Sequence, residues 1–329
     1  MPSSEFFALV QESSFGTPVA EPVNGTSRHY LRLAADDSYK GLMKPVIEDV
    51  PTGGSVSFPA CAVSDSSVYE GSIQSELYPS QAKFLLDWAC TRINAGRTTP
   101  WVTTDAAALN PPGDLASASA YHAARELDGM ITRRRGAGCK VKTLNLSCSG
   151  SSRIWRWNAT FVGIRDDTKG DGTIGAPDAT EFPEPDADDY PCGPYLFSHT
   201  SGGLKIGTVR SLFDSVQLSI QNAVAPYASE SPVPQVIWFG GRTVTLQVAM
   251  LRRPGATDLA AFRALTALDV ELALFDGKNT LTIDLQSAVR WSDFDQQLPV
   301  GSPYKWAGTL KCYIDRTSGD DIAVSYSSV

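Results

Sequence analysis

SVQLSIQN, residues Ser215–Asn222, alternates side chains with a strict period of two through Gln221. Val216, Leu218 and Ile220 fall on one face of an extended strand, and Ser215, Gln217, Ser219 and Gln221 fall on the other. The apolar face requires a core. The opposite face carries hydroxyls and amides without a single charge, which is unusual for a strand facing bulk water.

The same alternation recurs along the chain. Leu144, Leu146 and Cys148 alternate with Thr143, Asn145, Ser147 and Ser149, and Val244, Leu246 and Val248 alternate with Thr243, Thr245 and Gln247. Leu281, Ile283 and Leu285 alternate with Thr280, Thr282, Asp284 and Gln286. RIWRWNATFVGI and YKWAGTLKCYI add β-rich runs with aromatic and branched residues. Exposed surfaces are typically about 25–35% charged, yet these four polar faces hold one charge, Asp284. Such faces predict a wall shared between chains, turned toward neighbouring subunits or an enclosed aqueous channel, because closing a sheet on itself removes its edges.

Two segments predict helices. PSQAKFLLDWACTRI opens with Pro79 at a first-turn position and stripes Phe84, Leu85 and Trp88 on one face. TDLAAFRALTAL places Thr257 as N-cap, Asp258 at the positive end of the dipole, and Leu259, Phe262 and Leu265 as a stripe. The chain is therefore expected to be mainly β, with one short flanking helix per half.

The halves resemble each other. Thr143–Ser149 precedes WNATFVGI, and Thr280–Ser287 precedes WAGTLKCYI, each closing strand placing Trp three residues before Thr. The expected division is an extended arm over 1–40, β domains over 41–165 and 206–329, and an acidic Pro/Gly-rich connection over 166–205. Ser3–Val23, too poor in apolar residues beyond its start to build a core, is expected to order on a neighbouring chain.

Length and composition bound the function. The 329 residues, 42% hydrophobic, suffice for packed domains, and a net charge of −8 disfavours a groove that grips phosphates. Cysteines 61, 90, 139, 148, 192 and 312 show no zinc spacing and read as reduced thiols. The opening segment lacks a basic n-region, and no apolar run reaches the ~20 residues of a membrane span. The expectation is a soluble chain folded in a reducing cytoplasm.

Catalytic patterns are sparse. His29, His122 and His199 lack ligand spacing, and no GxSxG, Walker or GxGxxG motif stands between strand and helix. No cofactor is expected. Asp167, Asp171 and Asp178 outline a calcium loop, but Lys169 occupies a ligand position and no helices flank it, so a solvated loop is the better reading. Asp293 and Asp295 share a strand face, the minimal requirement of a glycosidase pair. Trp155, Trp157, Trp291 and Trp306 offer a carbohydrate-binding alternative, should they be exposed. The basic cluster TRRRGAG, Thr132–Gly138, reads as an ion-pairing surface for another subunit.

The opening FALVQESSFGTPVA, and the second-half stretch in which a strand ends at Asn222 and the next opens at Gly241 and Arg242, resemble the tail tube proteins of long-tailed bacteriophages. That resemblance implies β-sandwich units whose inner sheets join between subunits into a wide barrel. It implies stacked rings around a lumen that holds a tape-measure protein and later passes DNA, with tail terminator and distal tail proteins at the ends. It further implies a virion location after assembly in the host cytoplasm. Because the family places one such unit per chain in six-fold rings, a duplicated chain implies a trimer of pseudo-six-fold symmetry, with a hexamer as alternative.

Overall fold

The computed structural model describes residues 5–12, 15–16, 28–31, 38–51, 57–90, 92–93, 114–125, 129–150, 152–163, 165–166, 182–184, 193–196, 203–207, 209–211, 213–227, 236–250, 256–285, 289–297, 305–313 and 322–328. In chain order the first half gives β1 (Glu5–Gln11), β2 (Arg28–Leu31), β3 (Ser38–Pro51), β4 (Ser57–Glu76), α1 (Pro79–Cys90), β5 (Arg92–Ile93), β6 (Asp114–Leu115), β7 (Ala118–Arg125), β8 (Ile131–Ser149), β9 (Arg156–Gly163) and β10 (Arg165–Asp166). The second half gives β11 (Gly203–Ile206), β12 (Val209–Ser211), β13 (Phe213–Tyr227), β14 (Val236–Met250), α2 (Ala256–Arg263), β15 (Val270–Phe275), β16 (Asn279–Asp284), β17 (Arg290–Gln297), β18 (Lys305–Cys312) and β19 (Ala323–Ser328). The fold is mainly β, as the period-two patterns predict, and both expected helices form. α2 begins one residue ahead of Thr257, which therefore lies inside its first turn.

The large sheet contains the run β3-β4-β9-β8-β13-β14-β18-β17, every neighbouring pair antiparallel. The 19-residue β8 serves two neighbourhoods. Its first part carries β7, β1 and β2, and its second part lies between β9 and β13. A smaller sheet of order β12-β11-β15-β16-β19 supplies the second layer. Asp276 tightens its β15–β16 turn by accepting from the Lys278 amide at 2.7 Å, with Gly277 at φ 101.

The inner faces meet in one core. Leu144, Leu146, Val216, Leu218, Ile220, Val244, Leu246 and Leu310 come from the large sheet, and Leu204, Ile206, Leu272, Leu274, Leu281 and Ile283 from the small one. α1 lies on this side, with Trp88 packed on Phe161 at 5.6 Å and its Nε1 donating to the Cys139 carbonyl at 2.8 Å. α2 covers the other end, where Phe262 stacks on Phe294 and Phe294 meets Trp306 edge-on at 3.7 Å.

The structure adds to the sequence picture in three places. The two halves share the large sheet. β8 of the first half and β13 of the second pair directly from Thr143–Gln221 to Ser149–Ser215, because their apolar faces match in register and bury together. The arm is also partly internal. Glu5–Gln11 pairs with β7, and Phe7 and Leu9 are buried in the main core, since the FFALV run carries enough apolar surface to join it.

The third concerns the repeat. Each half orders its large-sheet strands as first, second, fourth, third: β3-β4-β9-β8 and β13-β14-β18-β17, with a helix between second and third. The counterpart of β8 is therefore β17, whereas Thr280–Asp284 lies on β16 in the small sheet. Setting Trp157 on Trp306 and Thr160 on Thr309 also superposes the irregularities. β8 skips Lys142 between pairs Val141–Phe161 and Thr143–Thr160, and β17 skips Ser292 between Trp291–Leu310 and Asp293–Thr309. Carried through the register, the same alignment sets Pro45, where β3–β4 shifts, on Val224, where β13–β14 shifts. Coincident bulges are positional features of a fold unit, not accidents of composition.

Candidate functional site: a neutral polar sheet face

The register assembles polar residues of the large sheet into continuous rungs, each crossing six or seven strands. One runs Glu76–Arg156–Ser147–Gln217–Gln247–Thr309–Asp293. The next runs Gln74–Asn158–Asn145–Ser219–Thr245–Lys311–Arg290. A third runs Ser38–Ser72–Thr160–Thr143–Gln221–Thr243. Ser215 extends the face beyond the first rung, opposite Ser149 and Ala249.

Ten of the twelve predicted face residues thus lie on one surface: Thr143, Asn145, Ser147, Ser215, Gln217, Ser219, Gln221, Thr243, Thr245 and Gln247. Most are half-buried, Gln221, Thr243 and Gln247 are exposed, and Ser219 at the centre is 8% exposed. Thr282 and Asp284 are separate from it. They face outward on the small sheet, opposite Ala273 and Ser325, and Glu271 and Ala323. The middle of the face is neutral, and charge enters toward its margins at Glu76, Arg156, Lys311, Arg290 and Asp293. Arg156, Lys311 and Arg290 gave no signal in the sequence because strands β9, β17 and β18 alternate less regularly, and Asp293 stood out there only as half of a carboxylate pair. A hollow of about 570 Å³ opens along the first rung, lined in part by Ser147, Gln217, Gln247, Thr309 and Asp293.

Two polar clamps fix the strands behind this face. Asn222, 4% exposed at the end of the opening stretch, donates from Nδ2 to the carbonyls of Ala89 at 3.0 Å and Val141 at 3.1 Å. Its cross-strand partner Arg242 donates from Nη1 to the Cys90 carbonyl at 2.7 Å. Together they satisfy the C-terminal carbonyls of α1, the helix end that favours cations. The second clamp is Glu12, also buried. Its carboxylate accepts from the Ser117 hydroxyl at 2.7 Å, the Ser119 hydroxyl at 2.8 Å, the Gly138 amide at 2.8 Å and the Gly16 amide at 3.0 Å. Burial pushes its carboxyl above the ordinary value, and those donors pull it partly back. Glu12 and Gly16 belong to the opening motif, and Asn222 and Arg242 to the second-half motif, so both quoted motifs are structural ties.

Chemistry of other kinds finds little footing. Trp155, Trp157, Trp291 and Trp306 are at most 2% exposed, so they are core residues and not a sugar platform. Asp293 and Asp295 fall on one face of β17 opposite Thr309 and Ala307, and Asp293 Oδ1 accepts from the Phe294 amide at 2.7 Å. Asp167, Asp171, Asp178 and His199 lie outside the described residues. Among the described residues no three His, Cys, Asp or Glu side chains cluster as a metal site, and no helix is long and apolar enough to cross a membrane. Cys90, Cys139, Cys148 and Cys312 are buried free thiols, with Cys148 pushed up to about 11 by desolvation. The basic cluster divides. Arg134 is exposed, Arg133 is half-buried and donates to the Phe182 carbonyl at 2.8 Å, and Arg135 is buried beneath Tyr121, so only part of it can face a partner.

The family model described as phage tail tube protein matches residues 3–311. A search among curated proteins finds no match. Among solved structures, a chain from the virion of a native gene transfer agent particle matches at 8% identity and a TM-score of 0.29, covering 40% of this chain and 99% of that one. With nearly the whole length matched by the family model, this chain belongs to the phage tail tube protein family, a family of structural tail proteins.

Proposed function

We propose that the chain builds rings that stack into the hollow tail tube, with the neutral middle of the polar face lining the lumen. The observation that carries this reading is the set of polar rungs crossing six or seven antiparallel strands, backed by one core, in a sheet run that ends in β3 and β17. Hydroxyls and amides hydrate a channel wall without gripping phosphates, and a chain of net charge −8 does not retain DNA electrostatically.

In this reading each half, 41–165 and 206–329, is one tube unit. Three chains then supply the six units of a pseudo-six-fold ring, which the recurring strand order supports. A tape-measure protein fills the lumen before DNA passes, and terminator and distal proteins close the ends. Assembly takes place in the host cytoplasm and the product resides in the virion. Sedimentation and negative-stain microscopy of the purified chain test the proposal. Rings or tubes with a central hollow are expected, and compact monomers at every concentration and in the presence of parent tail components would overturn it.

A further inference from the structure

The large sheet contains, inside one chain, the junction between two copies of the repeated unit. β8 closes the first unit and β13 opens the second, paired as Ser147–Gln217, Asn145–Ser219 and Thr143–Gln221. Among the described residues, the corresponding termini of the run, β17 and β3, each have one strand neighbour, β18 and β4. An edge of this length is a template for another strand.

We infer that β17 of one chain pairs antiparallel with β3 of the next, in the register that β8 takes with β13. The inference rests on the tube reading and specifies its joint. The bulge alignment equates Thr143, Asn145 and Ser147 with Asp293, Asp295 and Gln297, and equates Gln217, Ser219 and Gln221 with Ser38, Lys40 and Leu42. Gln297 then stands opposite the partner's Ser38, Asp295 opposite the partner's Lys40, and Asp293 opposite the partner's Leu42.

The neutral Asn145–Ser219 pair of the internal joint becomes an acid–base pair at the external one. Directly opposed opposite charges stabilise an antiparallel pair and like charges destabilise it. A β17–β17 contact would bring Asp293 and Asp295 against their own copies. A β3–β3 contact centred on Lys40 would set that lysine against its own copy. The edges therefore select each other over themselves, which makes the contact heterologous and allows a ring to close.

The test reverses the charges in the full chain. Asp295→Lys alone and Lys40→Asp alone are expected to lower the assembled fraction by about tenfold or more at matched concentration, and the double variant to restore it. A second arm replaces Asp295 and Lys40 together by cysteine, oxidises the assembled sample, and reads covalent multimers on a denaturing gel against wild type. The pair Gln297→Cys with Leu42→Cys, displaced along the strands, is expected to cross-link far less. Wild-type assembly with no rescue and no cross-link at the predicted pair would overturn this junction while leaving the tube reading intact. Failure of wild type to assemble at all would remove both.

Discussion

Arg242 donates a 2.7 Å hydrogen bond to the carbonyl of Cys90, so a cation from the second half of the chain closes the last turn of a helix from the first. Asn222, paired with Arg242 across the β13–β14 hairpin, holds Ala89 beside it. Replacing Asn222 by Ala strands two buried carbonyls and is expected to cost about 1–3 kcal/mol. Thermal unfolding checks this, with a fall of about 2–4 °C per kcal/mol for chains approaching this size. Asn222→Asp is expected to be at least as costly, since it removes the donor and aims a charge at the negative end of α1.

Glu12 predicts a pH dependence of defined sign. Its carboxyl is raised above the ordinary value of 4.5, chiefly by burial, so the folded chain binds this proton more tightly than the unfolded chain does. The stability it contributes is full below that ordinary value and is lost as pH rises through the raised one. Glu12→Gln cannot accept from all four donors and is expected to lose about 1–3 kcal/mol in acid. The gap to wild type should then narrow toward neutral pH. Denaturant titrations of both proteins across that window measure it, and a gap that widens with pH would contradict the assignment.

Gly308 lies under the ring of Trp291, and a Cβ built there would come within 2.6 Å of the indole. The ring fills the space a side chain would take, and the Asp293 carbonyl oxygen lies 3.1 Å from the same point. Gly308→Ala is expected to destabilise by about 1–3 kcal/mol through overpacking, with a matching change in tryptophan fluorescence because Trp291 and Trp306 meet edge-on at 5.5 Å.

Gln217 separates folding from function. It is half-buried on the polar face, so Gln217→Lys should leave the monomer within about 0.5 kcal/mol of wild type while placing, on the proposed reading, cations around the lumen. Particles carrying it are expected to lose DNA delivery, measured as plating efficiency or ejection into solution. Unchanged delivery would make the face ordinary surface.

How far the residues alone foretold this arrangement depends on how local each signal is. The period-two alternation of Thr143–Ser149, Ser215–Gln221 and Thr243–Gln247 is a property of each strand, and the three strands pair so that their polar residues share one sheet face. Asp284 carries the same alternation yet lies in the other sheet, because strand pairing is a long-range choice that no single strand encodes. The Trp-to-Thr spacing of Trp157–Thr160 and Trp306–Thr309 falls on β9 and β18, which hold corresponding places in the strand order. The stretch before each one misled, since the equivalent of β8 is the aspartate-bearing β17 and not the Thr-rich β16. Glu12 was invisible as a clamp because Ser117, Ser119 and Gly138 lie more than a hundred positions away.

The central claim is that the rungs through Gln217 and Ser219 line a closed channel. Cryo-electron microscopy of the assembled tube, at a resolution that numbers side chains, tests it most directly. Three chains per ring are expected, with β17 beside the partner's β3 and with Asn145, Gln217 and Thr245 bordering the lumen. A lumen bordered instead by Thr282 and Asp284 of the small sheet would contradict it.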